Sequence, residues 1–401
     1  MGKHSRPIRL LTLTTLFPNR CQPRHGIFVA NRLRRLCATG RLEATVVAAI
    51  PSFPGAYRES AAAAATEHVA GFDVHHPRYI NIPGIGMRLQ PRFLAHALLG
   101  ELRNGGMAGA EFDAIDAHYF YPDGVAAVRV AHELDLPLVI TARGSDINLI
   151  GDIPFARERM VEAANRAQAL IAVSAALARK MVQLGMPADR IHILRNGVDG
   201  EMFAPFPKVE ARNRIVLDNR YRWIAGVGNL VPDKGFDLLI RAVSMLDDVR
   251  LLIVGDGPLR GSLQTLARSM TPGRVEFRGN MAQPELRYVY AAADVLAVPS
   301  LREGWPNVVL EALACGTPVV ASAVGGIPEI LREDAPARMV RDRTSVAWRD
   351  ALKHVLNAPL PVDVVRRYAL EFGWDEVIGR QCGVYESMVT SGRPPTESTA
   401  S

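Results

Sequence analysis

Glu303 and Glu311 stand eight positions apart in the stretch Ala291 to Ile330, AAADVLAVPSLREGWPNVVLEALACGTPVVASAVGGIPEI. What that spacing can do depends on the elements around it. Val295-Leu296-Ala297-Val298 has the length and branching of a buried parallel strand, stopped at Pro299. A polar loop runs from Ser300 to Pro306, and a helix is expected from Asn307 to Gly316, with Thr317-Pro318 as its stop signal. Pro318-Val319-Val320-Ala321 is the next buried strand. Glu303 then lies in the loop and Glu311 one turn inside the helix. A helix N-terminus offers unpaired N–H groups and partial positive charge, which suits a phosphate. Carboxylates on both sides of that spot suit a ligand with hydroxyls flanking a diphosphate. A nucleotide sugar has this layout, with Glu311 toward the ribose diol and Glu303 toward the hexose.

An isolated pair of glutamates at this spacing is ordinarily a loop charge and a solvated helix carboxylate. Here the pair is framed by Gly304-Trp305-Pro306-Asn307 and by Ala314-Cys315-Gly316-Thr317-Pro318-Val319-Val320. In that frame the chain resembles the family 4 glycosyltransferases of the GT-B fold, whose E-G-x-P-N-x-x-L-E-A signature is matched from Glu303 to Ala312. The resemblance implies an α/β chain of two Rossmann-like, doubly wound parallel-sheet domains facing across a cleft, with a C-terminal helix crossing back to the first. The expected divisions are an acceptor-side domain at 1–200, a nucleotide-sugar domain at 201–370 and the crossover helix at 371–390. Residues 391–401, SGRPPTESTAS, have the composition of a disordered tail. The implied activity is retaining transfer of a sugar from a nucleotide-diphosphate sugar to a glycan or lipid-linked acceptor, in cell-envelope or exopolysaccharide synthesis.

At 401 residues the chain can hold two domains with cores of their own. Hydrophobic content of 48% beside 22% charged residues is that of a globular protein, and no apolar run reaches the ~18 residues of a membrane span. The N-terminus, MGKHSRPIRLLTLTTLF, lacks a small-x-small cleavage site and reads as a first strand behind a short tail. Cys21, Cys37, Cys315 and Cys382 show no metal or redox spacing, which fits a reducing cytoplasm. Residues 1–104 carry a charge of +9 and the remainder −3. Such a basic region fits an anionic substrate, or an anionic membrane surface at the inner face of the cytoplasmic membrane. Nucleic acid is the poorest fit, because no aromatic-interleaved basic motif or zinc finger is present.

Ile8 to Leu16 is a plausible first strand, followed by the loop Phe17 to Gly26 and a helix from Ile27 through Cys37. Gly26 stands where a backbone can approach a phosphate closely, although any turn needs glycine. In the family the equivalent loop touches the donor phosphates. Ala44 to Ile50 is a second strand, and Pro51 to Tyr57 with the alanines beyond reads as a mobile excursion. His75 and His76 have no third ligand nearby and are read as structural. Met87 to Leu102 is apolar at helical spacing with Arg88, Arg92 and nearby Arg103, which reads as a core-facing helix with a wet basic side or as an interfacial helix that touches lipid. His118 ends the strand Ala114 to His118, and resembles the family's donor-site histidine, which contacts the transferred sugar. Leu138 to Thr141 runs into Arg143-Gly144-Ser145-Asp146, where many relatives place a histidine at Arg143. Arg24, Arg143 and Asp146 are therefore candidate phosphate or acceptor contacts. The turn Asn196-Gly197-Val198-Asp199 is expected to close the first domain.

The second half alternates more regularly. Trp223 to Val227 runs into Gly228 through Gly235, Leu251 to Val254 into Gly255 through Pro258, and Val275 to Phe277 into Gly279-Asn280. Repeated units of this size specify a parallel sheet with its loops on one edge. The resemblance assigns donor binding to Asn229, Lys234, Gly255, Gly279, Asn280, Gly304, Pro306, Asn307 and Val308 as well as to the two glutamates. A departing diphosphate gathers negative charge, so a cation aimed at it does most of the chemical work. Lys234, in a Pro-Asp-Lys-Gly frame typical of the family, is the best such cation. No Asp-x-Asp occurs in the chain, so a metal-free mechanism without cofactor is expected. His118, Lys234 and Glu303 are assigned as positioning and electrostatic groups, with no general base named.

Two other readings fit the same motifs: a nucleotide-sugar epimerase, which would need no acceptor, and a nucleotide-sugar-binding scaffold with a decayed site. Asn229 favours the latter, since relatives commonly place an arginine five positions before the phosphate lysine. The retained Glu303, Glu311, Lys234 and His118 argue against decay. Arg24, with Arg20 in reserve, is the expected replacement for that missing cation.

Overall fold

Runs such as Leu138–Ala142 and Val295–Val298 are buried at every position, as strands must be when helices cover both faces of a sheet. The computed structural model describes residues 6–54, 62–82 and 86–390. The expected excursion after Pro51 lies partly, and the expected C-terminal tail wholly, outside the described residues. Two compact units emerge, one formed by Met1–Arg195 with Asp375–Ser401 and the other by Asn196–Trp374.

The strands of the first unit are β1 (Ile8–Thr14), β2 (Leu42–Ala48), β3 (Ile50–Ser52), β4 (Thr66–Val69), β5 (Phe72–His75), β6 (Arg78–Ile80), β7 (Ala114–His118), β8 (Leu138–Ala142), β9 (Ala169–Ala172) and β10 (Ile191–Ile193). Its main sheet has eight strands in the order β10-β9-β8-β7-β1-β2-β5-β4. Every pair is parallel except β4 with β5. The order turns back on itself between β1 and β7. Open sheets of this type bind ligands outside the carboxyl ends of the strands at such a switch point. The register Thr14 against His118 puts His118 at that place. Helix Asp375–Thr390 belongs to this unit, where Gln381 accepts from Arg32 of helix Ile27–Ala38.

The second unit contains β11 (Arg222–Val227), β12 (Val249–Val254), β13 (Val275–Phe277), β14 (Val295–Val298), β15 (Val319–Ser322) and β16 (Ala337–Val340). They form one parallel sheet ordered β13-β12-β11-β14-β15-β16, with its switch point between β11 and β14. Ile224, Leu239, Leu251 and Trp348 are fully buried in the core between this sheet and helices Phe236–Ser244 and Ser345–Asn357. The signature helix spans Asn307–Ala314. Gly316 follows it at φ +80°, and a Cβ there would lie 2.3 Å from Val362 Cγ1. That stop therefore needs glycine for both backbone conformation and space. The turn at Asn196 is tied into this second unit: Trp305 Nε1 donates to the Asn196 carbonyl, and Val198 N–H to that of Phe372, each at 2.9 Å. No helix of the described residues is long and apolar enough to cross a membrane.

Candidate active site

In the second unit, three loops leave the carboxyl ends of β11, β12 and β13 with glycine at their tightest points. A Cβ on Gly255 would fall 1.9 Å from the Gly228 carbonyl oxygen, so these two backbones stack only because Gly255 has none. Gly279 continues the contact, accepting from Gly255 N–H at 2.7 Å. Asn280 beside it is exposed. Across the switch point, the β14 loop brings Glu303 to Lys234: Lys234 Nζ donates to Glu303 Oε1 at 2.5 Å, and Ser300 Oγ donates to the same oxygen at 2.7 Å. Arg343 holds this loop from below, donating to the carbonyls of Pro299 and Ser300 at 2.9 and 3.0 Å. A Cβ on Gly325 would lie 1.9 Å from the Glu303 carbonyl, so a glycine of the next loop completes the seat.

Glu311 is buried in helix Asn307–Ala314 and accepts from Tyr290 Oη at 2.7 Å and Gln283 Nε2 at 3.3 Å. Burial pushes its carboxyl above the ordinary range, and the two neutral donors only partly offset this. Pro306 caps the helix, and Asn307 Oδ1 accepts from Asn196 Nδ2 at 3.1 Å. Gly304 and Val308 are half-buried on either side of that cap. Sequence reasoning missed Ser300, Gln283 and Tyr290, which carry no motif of their own.

In the first unit, Gly26 caps helix Ile27–Ala38 at φ +63°, and a Cβ there would sit 2.1 Å from the Leu16 carbonyl oxygen. Its glycine is thus required by packing of the loop onto the end of β1. Arg24 is half-buried in the same loop, while Arg20 donates its backbone N–H to Glu67 and places its Nε 3.5 Å from Glu67 Oε2. His76 completes that cluster with Nε2 3.0 Å from Glu67 Oε1, and His75 pairs with Glu101 at 2.9 Å. Both histidines have structural partners within the fold.

His118 lies at the end of β7 with its Nε2 2.9 Å from Asp116 Oδ2, while Arg143 Nη2 approaches its Nδ1 at 2.7 Å. Burial and the Arg143 charge push the His118 pKa down against the pull of Asp116. Burial by itself would raise Asp116, but His118, Tyr385 and Arg143 outweigh it, so Asp116 stays an anion. Burial, together with the Arg32 charge, lowers Arg143 to about 9, which leaves it protonated at neutral pH. Asp146, although near, is spent on the backbone: its carboxylate accepts from the N–H groups of Phe120, Arg143 and Gly144 at 2.9, 3.1 and 2.7 Å. It shapes the loop that carries Arg143. Asp123 does the same for the end of β1, accepting from Thr15 N–H and Thr15 Oγ1. Among the described residues no three His, Cys, Asp or Glu side chains converge as a metal site.

A family model described as glycosyl transferases group 1 matches residues 222–358, and one described as Glycosyltransferase Family 4 matches residues 17–201. A D-inositol 3-phosphate glycosyltransferase of Xylanimonas cellulosilytica is 33% identical over 309 residues, 71% of this chain and 73% of the relative. The chain belongs to the family 4 glycosyltransferases. A second relative of this transferase, the putative teichuronic acid biosynthesis glycosyltransferase of Bacillus subtilis, is 29% identical over 336 residues, 80% of this chain and 83% of the relative. The solved structure of Anabaena HepE in complex with UDP-glucose superposes with a TM-score of 0.72 at 19% identity, covering 95% of this chain and 99% of that one. The family 4 transferase therefore has the GT-B fold.

Proposed function

We propose that this glycosyltransferase moves a hexose from a UDP-hexose to a glycan or lipid-linked acceptor in cell-envelope polysaccharide synthesis, with retention and without a metal. The observation that carries the reading is the Lys234–Glu303–Ser300 cluster at the switch point of the second unit. A diphosphate leaving group needs a cation where its charge develops, and Lys234 has three N–H donors to share between Glu303 and a phosphate oxygen. Glu303 is then left to accept from a hexose hydroxyl, and Glu311 from the ribose. In the step itself the bond from C1 to the phosphate oxygen breaks and that from C1 to the acceptor oxygen forms. The acceptor proton goes to the departing diphosphate, so no protein base is required. HepE binding UDP-glucose supports uracil as the base, and the teichuronic acid relative supports a polymer of the cell envelope.

Thermal-shift measurements against UDP-, GDP- and ADP-glucose in the presence of a chelator test this reading, because a ligand that binds the native state stabilises it by mass action. UDP-glucose is expected to raise the melting temperature and the others to leave it unchanged. If UDP-glucose gives no shift, or only once magnesium is restored, the donor assignment or its metal independence falls. The basic charge of residues 1–104 supports docking on anionic lipid. Flotation with acidic vesicles at low salt should carry the protein up, and its staying in the pellet fraction would point to a soluble acceptor.

A further inference from the structure

The contact between Arg143 and His118 fixes the position of a proton. A guanidinium has donors only, so with Arg143 Nη2 2.7 Å from His118 Nδ1, that ring nitrogen must carry the lone pair. A neutral imidazole has one N–H, which therefore sits on Nε2, facing Asp116 Oδ2 at 2.9 Å. Asp116 and His118 are two apart on β7, so their side chains share one face of the strand. From helix Asp375–Thr390 the Tyr385 hydroxyl also faces Asp116, and Gln381 donates to that hydroxyl at 2.9 Å. His118 is buried, its Nδ1 is taken by Arg143, and its Nε2 lies 2.9 Å from Asp116 Oδ2 without completing a hydrogen bond among the described residues.

Arg143 is in the opposite situation. It is half-buried, its guanidinium carbon stands 5.3 Å over the Phe28 ring, and its Nε and Nη1 find no hydrogen-bond partner among the described residues. Enclosed N–H groups of a cation cost free energy unless an acceptor meets them. Arg32 nearby adds positive charge, and Asp116 is the anion on the far side of His118. We infer that Arg143 is an anion-binding cation of the first unit, and that His118, whose Nε2–H form the Arg143 contact selects, is the positioning residue that accepts from Arg143 and aims it at a phosphate group of a substrate. The inference rests on the glycosyltransferase activity but not on the identity of the donor.

Long-range 15N–1H spectra of the full-length protein test the tautomer directly. His118 is expected to show an unprotonated Nδ1 and a protonated Nε2. Pyrophosphate, added to the Lys234→Ala protein so that the phosphate lysine of the second unit is absent, should move the Nδ1 resonance, and adding Arg143→Ala should abolish that movement. A protonated Nδ1, or an Nδ1 signal indifferent to saturating pyrophosphate, overturns the inference. Turnover gives the second readout. His118→Phe removes the acceptor and should slow sugar transfer ~10-fold or more, whereas His118→Asn, whose side-chain oxygen can take the place of Nδ1, should recover most of that loss. Equal loss in both variants, at matching melting temperatures, would mean that the imidazole itself is needed. The spectra require no sugar nucleotide, so failure of the UDP-hexose reading and failure of this inference are separable.

Discussion

Glu303 Oε1 accepts from Lys234 Nζ at 2.5 Å and from Ser300 Oγ at 2.7 Å, so the carboxylate expected for the hexose and the cation expected for the diphosphate hold each other in place. Two residues arranged this way act as one unit. Removing either leaves its partner half-buried and without its opposite charge. Lys234→Ala is expected to lower kcat by about 10²–10³, as loss of a charge-stabilising donor does in other transfer reactions. Glu303→Gln should also slow transfer, and the double variant should be little worse than Lys234→Ala alone. Steady-state rates for the four proteins check this. Multiplying effects would show that the pair works as two independent groups.

The second carboxylate behaves differently because no cation faces it among the described residues. Tyr290 and Gln283 donate to Glu311, and burial raises its pKa. Glu311→Gln should weaken UDP binding by ~1.5–3 kcal/mol, the usual worth of a hydrogen bond to a charged group. If Glu311 accepts from the ribose as proposed, its ionised form does so, and wild-type affinity should fall as pH drops through its raised pKa. The glutamine variant should show no such fall. Calorimetric titration with UDP across the acid range distinguishes the two, and a pH-independent wild type would remove Glu311 from the ribose.

Strand–loop–helix alternation was readable where a buried strand is a short, continuous apolar run stopped by glycine or proline, as before Gly228, Gly255 and Pro299. That reading places Lys234, Glu303 and Glu311 on the proper loops and helix. The supporting groups were less readable. Asp116 could have been noticed, since a charge two positions before His118 in an otherwise apolar strand must be buried on the same face. Tyr385, Ser300 and Gln283 could not, because their importance depends on which distant segment the fold brings beside them. Gly26 has a structural reason of its own: the Leu16 carbonyl alone forbids a side chain there. His118 is expected to touch the sugar; the structure gives its Nδ1 to Arg143 and sets its Nε2 2.9 Å from Asp116 Oδ2.

Asp123 is buried, and burial, against the hydrogen bonds from Thr15, raises its pKa from 3.8 to about 8. A carboxyl whose folded pKa lies above its unfolded one holds more protons in the native state. Its contribution to stability is complete below pH 3.8 and is lost as pH rises through about 8. Asp123→Asn imitates the protonated form, with an oxygen for the Thr15 N–H and an amide for Thr15 Oγ1. The variant should therefore fold, and its melting temperature should decline less than that of wild type between roughly pH 6 and pH 9. Parallel declines would mean that Asp123 is ionised throughout that range.

The last expectation concerns a missing charge. Relatives commonly carry an arginine five positions before the phosphate lysine, where this chain has Asn229. Lys234 runs alongside the same loop, its stem 3.8 Å from where a Cβ on Gly228 would stand, so a cation at 229 would join its field. Asparagine can donate a hydrogen bond but adds no charge, which leaves a developing diphosphate less neutralised. Arg24 is the proposed substitute. Its loop is anchored rather than loose, with Gln22 N–H donating to Asn19 Oδ1 at 2.7 Å and His25 Nε2 2.9 Å from the Thr15 carbonyl. Arg20, the reserve candidate, donates its backbone N–H to Glu67, and its exposed side chain stands 3.5 Å from Glu67 Oε2. Arg24→Ala is expected to lower kcat ~10-fold or more while leaving UDP affinity nearly unchanged, because a group used only in the transition state does not add to ground-state binding. Adding Asn229→Arg to that variant should restore part of the rate. If Arg24→Ala turns over at the wild-type rate, or if Asn229→Arg restores nothing, the missing arginine has no substitute in this loop.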